Sequence, residues 1–244
     1  MVRWGIIGCG DVADRKSGPA FNQVEGSELV AVMRRDAAKS REFAKKHGAK
    51  KWYTKVENLL ADEDINAIYV ATPVHLHCEH TIAAADAGKH VLCEKPMAVN
   101  VAQCQQMIQA CKSNGVKLMI AYYRRFYPSV KKMKEVMESG AIGDIVLARV
   151  NLTGYYNPSQ PGEWRTDPLI AGGGVMMDVG SHRLDLLIHL LGDVEKVGAF
   201  VDTLHCNYAV EDSAALVMKF KSGAHAVSNF NWNVGSGSDD FEIY

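Results

Sequence analysis

The chain has 244 residues, with 27 Lys plus Arg against 28 Asp plus Glu and a formal net charge of −1. Its 48% hydrophobic and 23% charged residues exclude a wholly disordered chain, and the near-neutral balance without a basic stripe leaves no electrostatic footprint for nucleic acid. Apolar runs such as Trp4–Ile7 and Ala67–Val70 are far too short for a membrane span, the chain opens on a strand pattern rather than a leader, and its six cysteines form no C-x-x-C pair, as expected of a cytoplasmic protein with reduced thiols.

The first half alternates strands and helices. Val2–Ile7 is an apolar run that ends in Gly8-Cys9-Gly10-Asp11-Val12-Ala13, followed by a helical segment. Strands are then expected at Glu28–Met33, Ala67–Ala71, His90–Cys93 and Val116–Ala121, and helices at Arg35–His47, Val56–Ala61, Glu79–Ala87 and Val101–Ser113. Bare apolar strands between amphipathic helices predict a parallel sheet covered on both faces. The pattern changes near Ala121–Pro128. A helix at Ser129–Glu138 precedes a longer strand at Asp144–Thr153, a polar, aromatic loop over Tyr155–Asp167, and a helix from about Val175 to Leu191. Strands follow at Val194–Leu204, Ser213–Phe220 and Ala224–Asn231, with Gly235–Ser238 flexible and Phe241–Tyr244 beginning a further strand. This predicts a second domain of α+β type with an antiparallel or mixed sheet.

Several motifs carry chemistry. Gly8-x-Gly10-x-x-Ala13 after a strand has the form of a dinucleotide loop: a tight turn, a bare backbone for the pyrophosphate, and a small residue where helix meets strand. The end of the second strand, where an acid usually takes the ribose of NAD, carries Arg34-Arg35-Asp36. A guanidinium there suits a 2′-phosphate, so NADP is favoured over NAD; the alternative is that Asp36 takes the ribose. Glu94-Lys95-Pro96 lies at a strand's C-terminal end, with the lysine backbone held extended by the proline. Asp178 and His182 are four apart in a helix and share one face, with Leu184, Leu187, Ile188 and Leu191 apolar. An imidazole is the usual proton carrier for alcohol oxidation. Neither Asp178, His182 and His189 nor the cluster from His75 to His80 has a convincing ligand spacing, and no metal is expected. Tyr122, Tyr123, Tyr155, Tyr156 and Trp164 could wall a pocket or pack ordinarily.

Taken in order, Gly8-x-Gly10-x-x-Ala13, Ala71-Thr72-Pro73 with His77, Ala87-Gly-Lys-His-Val91 into Glu94-Lys95-Pro96, Arg124-Arg125-Phe126 with Pro128, Trp164-Arg165, and Gly172-Gly-Gly174-x-x-x-Asp178-x-Gly180-x-His182-x-x-Asp185 resemble the Gfo/Idh/MocA (glucose–fructose oxidoreductase / inositol dehydrogenase) family over essentially the whole chain. The resemblance implies an N-terminal Rossmann dinucleotide-binding domain, 1–122, and a C-terminal α+β domain, 123–244, with a large, mostly antiparallel sheet. It implies an NAD(P)-dependent oxidoreductase acting on a sugar, polyol or cyclic diol; a non-catalytic NAD(P)-binding regulator on the same fold is the alternative. Lys95, Asp178 and His182 match the catalytic trio, with His182 as general acid/base, Lys95 orienting substrate and Asp178 holding the imidazole. Gly8, Gly10, Val12, Arg34, Arg35, Thr72, Pro73, His77, Glu94, Lys95, Trp164 and Arg165 fall at cofactor positions, and Tyr122 at a pocket position. Family members are longer, so a truncated second domain is expected, with homo-oligomerisation through its sheet in the full-length form.

Overall fold

Strands β1 (Val2–Ile7), β2 (Ser27–Met33), β3 (Lys51–Tyr53), β4 (Ala67–Val70), β5 (His90–Cys93) and β6 (Leu118–Ile120) make one sheet in the order β3-β2-β1-β4-β5-β6. Every neighbouring pair is parallel. All of β4 is buried, as a strand covered on both faces must be. One face packs Ile7, Val70, Cys93 and Met107, and the other packs Ile6, Val32, Tyr69 and Phe21. The covering helices are α1 (Ala37–His47), α2 (Val56–Leu60), α3 (His77–Asp86) and α4 (Val101–Ser113). Asp36 starts α1 by accepting the Lys39 N–H at 3.0 Å, and Gly48 ends it at a φ of 72° that suits glycine. The strand order reverses direction between β1 and β4, the place where such sheets open a ligand crevice.

The computed structural model describes residues 1–158 and 163–244, which divide into two units, Met1–Ala121 and Tyr122–Tyr244. The second unit contains α5 (Pro128–Glu138), β7 (Leu147–Tyr155), α6 (Pro168–Ala171), α7 (Ser181–Leu191), β8 (Val194–Asp202), β9 (Ser213–Phe220), β10 (His225–Asn231) and β11 (Asn233–Ile243). Its sheet runs β11-β7-β10-β9-β8. It is mixed: β10 pairs with β7 in parallel, and the other pairings are antiparallel. Along β9, Ala214, Leu216, Met218 and Phe220 alternate inward and join a core with Val175, Leu187 and Leu191. The opposite face exposes Phe200, Val217 and Val227, whereas Val197 and Val201, which pair with Met218 and Ala214 on the inward side, are exposed at the edge of the sheet.

Four expectations need correction. Phe241–Tyr244 does not begin a strand but closes one: β11 pairs with β7 from Ser238 opposite Thr153 to Ile243 opposite Ala148. Gly235–Ser238 accordingly lies inside that strand rather than in a flexible loop. Of the loop expected over Tyr155–Asp167, Tyr155 ends β7 and Trp164–Thr166 forms a 3₁₀ turn, while 159–162 lie outside the described residues. Ile188, expected on the apolar face of its helix, is 44% exposed, and Leu186 is buried in its stead. Among the described residues, no helix is long and apolar enough to cross a membrane.

Candidate active site

The glycine loop lines an open crevice of about 580 Å³ together with Arg34, Arg35, Thr72 and Pro73. Gly8 has a φ of +100°, and a Cβ on it would stand 2.6 Å from the Ala71 carbonyl oxygen. The turn after β1, packed against the end of β4, therefore demands glycine for its own packing. Gly10 differs: a Cβ there would meet nothing within 4 Å. Its bare backbone faces open space, which fits a site where a dinucleotide pyrophosphate approaches the main chain. The following segment is helical but not a regular α-helix. Ala13–Ser17 is a π turn and Gly18–Asn22 a 3₁₀ turn, with Ala13 fully buried and Val12 exposed. Arg34 donates from Nη1 to the Cys9 carbonyl at 2.8 Å, tying the end of β2 to the loop. Arg35 is exposed beside it, and the Lys39 N–H holds the Asp36 carboxyl below its usual range.

Glu94 and Lys95 follow β5 at the same sheet edge. The Glu94 carboxylate accepts the Tyr69 hydroxyl at 2.5 Å and the Lys95 N–H at 3.2 Å, and Tyr69 also meets Ser17 Oγ at 2.8 Å. A core tyrosine thus fixes the backbone from which Lys95 projects. His77, expected at the cofactor, points inward and is 1% exposed. Its ring nitrogens lie 2.8 Å from the Thr72 carbonyl and 2.9 Å from the Pro96 carbonyl. It braces the loops after β4 and β5 from beneath rather than lining the crevice. Burial pushes its pKa down, against the pull of the two carbonyls. His80 meets Thr72 Oγ1 at 3.2 Å, and no group of three or more ligating side chains suited to a metal occurs among the described residues.

In the second unit, Asp178 lies in a π turn, Met176–Gly180, which leads directly into α7 and His182. Single π turns within helices recur at functional sites. His182 is 5% exposed. Its ring meets those of Tyr123 and Tyr122 edge-on, at centroid distances of 5.2 and 6.0 Å. The Arg125 guanidinium forks onto Asp185, one turn further along α7, with Nε 2.7 Å from Oδ2 and a second contact from Nη2 to Oδ1. Trp164 and Arg165, expected at the cofactor, belong to this unit. Arg165 Nε is 3.7 Å from Asp178 Oδ2, Nη1 is 3.0 Å from Glu163 Oε1, and the guanidinium lies 4.5 Å over the Trp164 ring. Tyr156 donates to the same Glu163 oxygen at 2.5 Å, and burial with that carboxylate pushes its phenol up to about 12. The unit therefore gathers an imidazole, a carboxylate one turn before it, a guanidinium and two tyrosines. Sequence reasoning missed Tyr69, and it missed Glu211, which closes the N-terminus of the helix carrying Asp178. No local spacing signals either one.

The family model described as "Oxidoreductase family, NAD-binding Rossmann fold" matches residues 2–122, and that of the GFO/IDH/MocA C-terminal domain matches 130–244. Both domain types are thus represented in the chain. An oxidoreductase of Formosa agariphila is 37% identical over 99% of this chain and 76% of its own length. A 1,5-anhydro-D-fructose reductase of Ensifer adhaerens is 34% identical over 100% and 73%. A solved levoglucosan dehydrogenase in complex with NADH superposes with a TM-score of 0.90 at 28% identity, over 100% of this chain and 70% of that one.

Proposed function

Because the chain belongs to the Gfo/Idh/MocA family of oxidoreductases, we propose that it oxidises a hydroxyl, or reduces the matching carbonyl, on a sugar, polyol or cyclic diol with NADP. The observation that carries this reading is His182 set edge-on to two tyrosine rings, with Asp178 one turn before it. A bound nicotinamide supplies the hydride acceptor or donor. The domain 1–122 holds the dinucleotide through Gly8, Gly10, Val12, Thr72, Pro73 and the Glu94–Lys95 strand end. Arg34 and Arg35 favour a 2′-phosphate, because a guanidinium pairs with it and an acid would repel it. The domain 123–244 takes the substrate.

His182 accepts the proton from the hydroxyl oxygen on oxidation and returns it on reduction. Asp178 orients the imidazole, and the Arg165 guanidinium, 3.7 Å away, pairs with the Asp178 carboxylate. Lys95 orients the reacting oxygen. Tyr122 and Tyr123 offer apolar ring faces and edges suited to the C–H face of a sugar ring. The exposed apolar strip on β8, β9 and β10 supports a homo-oligomer.

The test begins with aldoses, ketoses, inositols and cyclic diols, screened by absorbance of the reduced cofactor. His182→Ala, measured in single turnover on the best substrate, is expected to lose about 10²–10⁴-fold in rate with cofactor affinity unchanged. A wild-type rate in that variant would remove His182 from the mechanism. Binding of NADP(H) without turnover of any substrate would instead favour a non-catalytic regulator.

A further inference from the structure

Three glycines precede the helix that carries Asp178 and His182, and the reason for the last two lies far along the chain. Gly174 and Met176 donate their N–H groups to the two carboxylate oxygens of Glu211, at 2.6 and 3.0 Å. The Val175 N–H donates to the Glu211 carbonyl at 3.1 Å. The first N–H groups of a helix have no acceptor within it, and here three successive ones end on a single residue. The approach is so close that a Cβ on Gly174 would stand 2.0 Å from the Glu211 carbonyl oxygen. On Gly173 it would stand 2.7 Å from Met177 Cγ and 3.2 Å from Glu211 Oε2. Gly172, at a φ of +79°, closes α6 just before. Gly173 and Gly174 bear the imprint of Glu211, and Gly172 serves the turn out of α6.

Glu211 is itself held by the residue after it. Asp212 is fully buried. Its carboxylate accepts the N–H groups of Leu204, His205 and Cys206 at 2.8, 2.9 and 2.7 Å, and the Asn233 amide at 2.9 Å. Its carbonyl accepts the Trp232 N–H at 2.8 Å. Glu211 is thereby pinned to the ends of β8, β10 and β11. Further along the helix, the Arg125–Asp185 fork and the Arg183–Asp239 pair fix α7 to its neighbours. Between these two anchorages lies the π turn Met176–Gly180. A π turn accommodates a residue that a regular helix would expel into the next turn. It persists only if the helix cannot slide or rewind at its start.

We propose that Glu211 is a positioning residue for proton transfer: by closing the helix at 174–176 it keeps the π turn, and so the mutual orientation of Asp178 and His182. This rests on His182 being the proton carrier, and the test separates the two claims. The full chain would be prepared with Glu211→Ala, Glu211→Gln, His182→Ala and the Glu211→Ala/His182→Ala double substitution. Hydrogen exchange, which needs no ligand, is expected to show lost protection in peptides covering 174–182 of Glu211→Ala and none in peptides of 1–121.

Misplacement of a catalytic group by about 1 Å costs on the order of 10²-fold. Glu211→Ala should therefore lose roughly that factor in single-turnover rate on the best substrate of the screen, with NADPH affinity and KM nearly unchanged. Glu211→Gln keeps one acceptor and should fall between; if the alanine variant does not fold, Glu211→Gln carries the test. The double variant should be no slower than His182→Ala, since residues acting as one unit are not additive. A wild-type rate or unchanged exchange in Glu211→Ala, or a double variant slowed by the full product of both factors, would overturn the role of Glu211. A wild-type rate in His182→Ala would overturn the reading beneath it, whatever Glu211 does.

Discussion

Arg34 makes one hydrogen bond to the glycine loop, through Nη1 to the Cys9 carbonyl, and it stands where an acid would hold the ribose of NAD. If it meets a 2′-phosphate, NADP should bind more tightly than NAD by about 1.5–3 kcal/mol, one charge-assisted contact. Calorimetric titration of both cofactors checks this, and Arg34→Asp should reverse the order. Equal affinities in the unmodified protein would contradict it. Asp212 offers a second residue-level outcome. Burial pushes its carboxyl up, but the Cys206, Leu204 and His205 N–H groups outweigh that and hold it below the usual range. A lowered folded-state pKa stabilises the fold above the unfolded value and ceases to do so as pH falls through the folded one. Asp212→Ala should therefore cost about 3 kcal/mol near neutrality, through donors left without acceptors. Urea titrations should show that difference constant above about pH 5 and shrinking below about pH 4, around and below the ordinary aspartate value.

At the scale of elements, the π turn at the head of α7 makes a distinct prediction. Deleting Val179 should let the segment rewind as a regular α-helix, turning the residues before the deletion by about 100° relative to those after it. Circular dichroism should register almost no loss of helix, while turnover falls to the level of His182→Ala. Most elements of the first unit were readable from sequence for a plain reason: strands covered on both faces are unbroken apolar runs, and α1 carries its own cap in Asp36 and its stop in Gly48. β3 was not, because Lys51-Trp-Tyr53 is three residues long and has no pattern of its own. β11 was misread because Gly235-Ser-Gly-Ser238 has the composition of a loop. What makes it a strand is tertiary: the Thr153 hydroxyl donates to the Ser236 carbonyl at 2.8 Å and meets Ser238 Oγ at 3.1 Å. Of the residues proposed for catalysis, Lys95, Asp178 and His182 stood out by motif. Glu211 could not, since its partners lie more than thirty positions upstream in sequence.

Across the whole molecule, the two sheets impose different schedules on a growing chain. In the first unit, each strand finds a neighbour that is an adjacent strand in sequence, except where β1 meets β4. In the second, β7 lies between β10 and β11: Leu147 faces His225, and Ala148 faces Ile243. Both partners emerge roughly eighty residues or more after β7, and such distant pairings form slowly. At roughly 5–20 residues per second, β7 spends several seconds on the ribosome with both edges bare, after the first unit has everything it needs. The two units should separate in refolding as well. Tryptophans 4 and 52 report on the first unit, and 164 and 232 on the second. Stopped-flow refolding of single-tryptophan variants should show the first pair settling before the second, and coincident phases would contradict it. An open-edged strand of this kind can pair with the same strand of a neighbouring nascent chain. The yield of soluble protein is therefore expected to fall with faster synthesis and crowded polysomes, even when the finished fold is unaltered.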